Sequence, residues 1–150
     1  MNWKCLTFEE LTTNQLYQLL QLRSEVFVVE QDCVYQDIDG LDQQAFHLIG
    51  YLDEVLVAYS RIFQPKVYFE EASIGRVIVK ENSRGKDIGH LIMKKSIQFV
   101  QQNLKTTTVR ISAQQYLIKF YEYHGFMCDG EGYLEDGIPH INMVLNLKPL

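Results

Sequence analysis

The chain has 150 residues, 47% hydrophobic, 22% charged and 12% aromatic, with a formal net charge of −5. That length fits one domain, residues 1–150, able to bury a core of its own; no apolar run nears the roughly 18 residues of a membrane helix, and the opening "MNWKCLTFEE" has no apolar h-region. The acidic balance and the missing basic stripe oppose nucleic-acid binding, while three scattered cysteines, Cys5, Cys33 and Cys128, without C-x-x-C spacing, fit reduced thiols in the cytoplasm.

Taken in chain order, "TTNQLYQLLQLRSEVF" puts Leu16, Leu19, Leu20 and Phe27 at helical spacing behind Thr13 or Asn14 as N-cap. The loop "EQDCVYQDIDGLDQQ" follows. "FHLIGYL" and "VLVAYSRIF", separated by Asp53 and Glu54, read as a hairpin, although Asp-Glu is not a preferred primed turn. "ASIGRVIV" is a third strand, and Ile88 to about Asn103 reads as a helix. "TTTVRIS" is a strand, "YLIKFYEYHGF" a helix closed by Gly125, and "INMVLNL" the last strand. Such an order of helices and strands predicts a mixed α/β fold.

Charge divides the chain unevenly. Between Arg76 and Lys95 stand six basic residues against Glu81 and Asp87, whereas Ser24 to Ser60 and Cys128 to Leu147 hold no Lys or Arg at all. This layout suggests an anion site in the first segment and a cation site formed by the other two. Within the basic segment, "IGRVIVKENSRGKDIGHLIM" runs from strand through turn to helix N-terminus. Unpaired N–H groups and the macrodipole of a helix start favour an anion. Gly85 and Gly89 let its oxygens approach the backbone, with Arg84 and Lys86 at the rim. Neither the P-loop nor the G-x-G-x-x-G pattern is present.

The turn Arg84-Gly85-Lys86-Asp87-Ile88-Gly89 resembles the Q/R-x-x-G-x-G/A pyrophosphate loop of the GNAT N-acyltransferase superfamily, with Asp87 standing at its usual first glycine. "SAQQYLIKFYEYHGF" is similar to the helix that follows in that family. "VFVVEQDCVYQDIDG", "IGRVIV" and "EDGIPHI" extend the likeness, to an ElaA-like branch, over nearly the whole chain. The resemblance implies a mixed, splayed central sheet flanked by helices, which binds acetyl-CoA as acyl donor. Val77, Ile78 and Val79 would pair with the pantetheine arm, Gln114 would reach it, and Arg84 to Gly89 would hold the pyrophosphate, with His90 nearby. Tyr121 falls at the family's tyrosine, the acid that protonates the departing thiolate.

Acyl transfer to an amine also needs a base, because an alkylammonium with a pKa of about 10.4 is protonated at neutral pH. His140, read as sitting just before the last strand, is the candidate, with a carboxylate or a water chain as the alternatives. Glu30, Asp37 and Asp39 lie in the loop where related enzymes build the acceptor pocket, and Glu135 and Asp136 could form its other wall. His47 is assigned to a strand and His124 to a helix end, and no histidine pair has metal spacing, so no metal is expected. The expected acceptor is a small-molecule, peptide or protein amine, and the chain a monomer or homodimer. A non-catalytic acyl-CoA-binding module and an autoinducer-synthase-like acyltransferase are the alternatives.

Overall fold

The computed structural model describes residues 1–150. In chain order its elements are β1 (Asn2–Thr7), α1 (Thr13–Arg23), a π-helical segment (Ser24–Glu30), β2 (Phe46–Leu52), β3 (Val55–Phe63), β4 (Ala72–Val79), α2 (Ile88–Asn103), β5 (Thr108–Gln114), α3 (Ile118–Tyr123), β6 (Met127–Cys128), β7 (Tyr133–Glu135) and β8 (Ile138–Asn146). The strands form one mixed sheet in the order β1-β2-β3-β4-β5-β8-β6, with β7 also on β8. No helix is long and apolar enough to cross a membrane. The mixed α/β class predicted from the sequence is the one observed.

Period-two alternation distributes apolar side chains to both faces of the sheet. Leu48, Ala58 and Ile62 join Ile92, Met93 and Val100 of α2 in the larger core. Their neighbours Ile49 and Tyr59 meet Leu19, Leu22 and Val26 on the other face. Burying a Leu- or Ile-sized side chain contributes about 1.5–3 kcal/mol, so these two clusters hold the helices in place.

Several local features differ from expectation. The N-cap of α1 is Thr12, not Thr13 or Asn14. It forms a capping box with Gln15, whose backbone N–H bonds the threonine hydroxyl at 3.1 Å while the glutamine side chain accepts from Thr12 N at 2.9 Å. The helix does not continue regularly to Phe27: from Ser24 it widens into a π-helical segment, a feature frequent at functional sites. Strand β1 has no counterpart in the sequence reading. Its Trp3 pairs with Gly50, and a Cβ on that glycine would lie 2.5 Å from the indole, so only glycine seats the ring. The Asp53-Glu54 turn does take the primed shape, with φ of +49° and +65°.

The arrangement that positions the site lies at the middle of the sheet. β4 and β5 are parallel but pair only at Ala72–Val109 and Ser73–Arg110, after which they diverge. On its other side β4 carries a bulge: it advances from Gly75 to Ile78 while β3 advances only from Arg61 to Tyr59. Arg76, inside the bulge, has φ +50°, a left-handed conformation that costs a side-chain-bearing residue on the order of 1–3 kcal/mol.

Candidate active site

A cleft of about 860 Å³ opens where β4 leaves β5. Val77, Ile78 and Val79 line one wall and Ser112 and Gln114 of β5 the other. Beyond Ser73 the edge of β4 has no neighbouring strand, so its backbone groups are available to an extended ligand arm.

At one end of the cleft lies the β4–α2 connection, the turn read from the sequence as a candidate anion site. A 3₁₀ turn, Glu81–Ser83, leads into Gly85 at φ +82° and Asp87 at φ +59°, and α2 then starts at Ile88. Gly85 has the left-handed backbone that glycine adopts without strain, and Asp87 adopts it with a side chain that makes no capping hydrogen bond. Arg84, Gly85, Asp87, Ile88, Gly89 and His90 all line the cleft; Lys86 is exposed on the same loop and does not. Each nitrogen of the Arg84 guanidinium has a partner: Nε donates to Val79 O at 2.9 Å, and Nη1 and Nη2 reach the Glu30 carboxylate at 2.8 and 3.1 Å. His90 Nδ1 lies 3.0 Å from His124 Nε2. Burial, with His90 beside it, lowers the His124 pKa.

Tyr121 comes from α3, which Gly125 closes at φ +94° as predicted. Its ring packs edge-on against Phe120 and Phe126, and burial pushes its phenol well above the ordinary value. Arg61 Nε is the one fully buried side-chain polar atom without a partner. The Tyr121 hydroxyl, which bonds no protein group, therefore opens to the cleft that the residue lines.

His140 is not before the last strand but inside it, opposite Gln114 in the β5–β8 register. Nδ1–H donates to Ile138 O at 2.7 Å, which leaves Nε2 for proton exchange, 3.2 Å from Glu135 Oε2. Tyr133 stacks on the imidazole and bonds Ser112 and Asn142 through its hydroxyl. Gln114 Nε2 donates to Gln31 Oε1 at 3.3 Å, and both residues line the cleft. No three or more His, Cys, Asp or Glu side chains converge as metal ligands.

The acidic loop holds a correction. Asp37 does not face the cleft: it is buried, with Oδ2 on Arg23 Nε at 2.9 Å and Oδ1 on Arg76 Nε at 2.8 Å. Asp39 does line the cleft, but both its oxygens are held by Arg61 at 2.8 Å. Burial alone would raise the Asp39 pKa; the Arg61 hydrogen bonds and charge outweigh it and hold it at about 2. Asp42, in the same acidic loop, completes the network by bonding Arg23 at 2.7 Å and Arg61 at 2.9 Å. Glu30 lines the cleft and is committed to Arg84, and Glu135 and Asp136 line the opposite side. Of the carboxylates in the stretch without Lys or Arg, Asp37, Asp39 and Asp42 are thus neutralised by Arg23 and Arg61, the residues that border it, and by Arg76.

Comparison with known proteins agrees with this architecture. Residues 9–147 match the family described as Acetyltransferase (GNAT) domain. Protein ElaA of Escherichia coli K12 is 45% identical over 145 residues, 95% of each chain. The crystal structure of Escherichia coli ElaA superposes with a TM-score of 0.90 at 44% identity, covering 97% of this chain and 99% of that one. An acyl-CoA N-acyltransferase from Pseudomonas aeruginosa superposes with a TM-score of 0.89 at 42% identity, again over 97% and 99%. The AHL synthase LasI shares the fold alone, with a TM-score of 0.80 at 15% identity over 98% and 90%.

Proposed function

The chain belongs to the GNAT acetyltransferase family, in its ElaA-like branch, and from that premise we propose that it transfers an acetyl group from acetyl-CoA to a primary amine. The observation that carries this reading is the divergence of β4 and β5 beyond Ser73, with the β4 bulge and the Tyr121 hydroxyl on one cleft. The residues present fit the donor. The free β4 edge at Val77, Ile78 and Val79 offers a partner to the pantetheine amides, and Gln114 sits opposite. Gly85, whose missing Cβ leaves open space, and the start of α2 offer backbone N–H groups to the pyrophosphate.

Acetyl-CoA brings the acyl group already activated as a thioester. The protein then handles protons and charge. His140 Nε2 takes the proton from the acceptor ammonium, so that the nitrogen lone pair can form the C–N bond by direct attack. A backbone N–H between Val77 and Val79 donates to the oxygen on which negative charge develops. As the C–S bond breaks, Tyr121 gives its hydroxyl proton to the sulfur; the acylated nitrogen then sheds its second proton, which restores the phenol, and the proton on His140 passes to solvent. Burial keeps the phenol in its protonated form, the form that can donate, without making it a stronger acid.

Calorimetric titration with acetyl-CoA, followed by thiol release with a panel of amines, tests the proposal. Binding together with one thiol released per N-acetylated amine is the expected result. Binding without release from any amine would instead make the chain an acyl-CoA-binding module.

A further inference from the structure

We propose that the acceptor is an amine bearing a carboxylate, of the α-amino acid type, and that Arg76 is the residue that binds that carboxylate. The inference rests on the acyl-transfer reading above and concerns the acceptor half of the same cleft.

Three observations carry it. First, the cluster of Asp37, Asp39 and Asp42 offers no net charge to a polycation, because Arg23, Arg61 and Arg76 match its three carboxylates in number. Second, the Arg76 guanidinium is only partly used. Nε donates to Asp37 Oδ1 at 2.8 Å and Nη2 to Asp37 O at 3.1 Å, while Nη1 bonds nothing in the protein. Nη1 is not among the buried unpartnered atoms, the side chain is 20% exposed, and the residue lines the cleft. Third, the guanidinium is held in place. Its carbon lies 5.9 Å from the Phe27 ring and 5.9 Å from the Tyr35 ring, both cleft residues, and its backbone is fixed in the β4 bulge.

A rigid, charged N–H donor with no internal acceptor suits an anionic oxygen; with Nε and Nη2 taken by Asp37, the carboxylate contact is the one that Nη1 makes. His140 and Glu135, on the same cleft, would face the amine end. An ammonium-rich acceptor without a carboxylate would leave Nη1 without a partner.

The test compares matched pairs. N-acetylphenylalanine and N-acetylphenethylamine differ only in the carboxylate, carry no titrating amine and need no turnover to be measured. Calorimetry on the wild-type protein should give the first at least about tenfold tighter binding, the factor that 1.4 kcal/mol represents. Thiol release from acetyl-CoA should likewise favour phenylalanine over phenethylamine in kcat/KM. In Arg76→Gln both preferences should collapse to within about twofold while acetyl-CoA affinity is unchanged. If that variant does not fold, the wild-type comparison decides alone. Equal affinity for the two products, binding of neither, or discrimination that survives in a folded Arg76→Gln overturns the proposal. Selective product binding without turnover of any amine would keep the Arg76 assignment and remove the enzymatic reading. Turnover without selectivity would do the reverse.

Discussion

Glu30 and Arg84 form a two-point ion pair, 2.8 Å from Nη1 to Oε2 and 3.1 Å from Nη2 to Oε1, linking the π-helical segment to the anion loop. Gln31, the next residue, bonds Gln114 of β5 at 3.3 Å, so the end of this segment is tied to both sides of the gap between β4 and β5. Arg84, the basic residue expected at the pyrophosphate, is therefore occupied by a carboxylate.

Replacing Glu30 with Gln should tighten acetyl-CoA binding. The change removes a negative charge beside a polyanion site and releases the Arg84 guanidinium. The pair is partly exposed, so its strength is that of a surface ion pair, about 0.2–1 kcal/mol, and the expected gain is no more than about fivefold. Calorimetry at two ionic strengths reads it, with a larger gain at low salt. Weaker binding would mean that the ion pair helps to build the site.

Asp87→Gly should maintain or improve acetyl-CoA affinity. The carboxylate stands at the N-terminus of α2 without a capping bond, and φ +59° is a conformation glycine adopts freely. The stability change should stay within about 1 kcal/mol, because relief of strain is offset by a more flexible unfolded chain. A clear loss of affinity would contradict the placement of the pyrophosphate at this helix start.

Stability should fall as the pH drops below about 6.5, and His47 should contribute to that slope. The ring is neutral in its network: Nε2–H donates to Asp42 O at 2.9 Å, and Nδ1 accepts from the Tyr59 hydroxyl at 2.7 Å. Burial lowers its pKa. Below the unfolded-state value the unfolded chain therefore binds more protons than the folded one, and stability present at neutral pH is lost toward the lower folded value. Urea denaturation from about pH 8 to 5 should show a shallower slope for His47→Gln. An unchanged slope would contradict the neutral assignment.

His140→Gln should remove the acidic limb of the kcat/KM profile while leaving acetyl-CoA affinity intact. A wild-type profile in His140→Gln would assign the base to a carboxylate or a water chain.

How much of this was legible in the sequence depended on the range of the interactions. The strands from Phe46 to Val79, the anion turn and the Gly125 helix stop are local patterns, and they stand where the residues predicted them. Strand β1 was hidden because Trp3 is explained only by Gly50, a distant partner. His140 was placed outside β8 because the strand was read from the apolar run that starts at Ile141; it begins at Ile138 and pairs with both β5 and β7. Asp37 and Asp39 read as free carboxylates because their arginine partners lie outside the acidic stretch, up to 39 residues away. The π-helical segment leaves no signal in the apolar pattern, which is blind to one extra residue per turn.

A single-turnover experiment on Tyr121→Phe tests the central claim most directly. The variant loses one hydroxyl and retains the ring packed against Phe120 and Phe126, so the fold and acetyl-CoA affinity should be preserved. Enzyme loaded with acetyl-CoA is mixed with excess amine, and free thiol and N-acetylated product are followed together, which separates chemistry from product release. The wild type should release one thiol for each amine acetylated, and the variant should perform that step about 10²- to 10⁴-fold more slowly. Wild-type single-turnover rates in Tyr121→Phe would contradict the account and leave Tyr121 a packing residue.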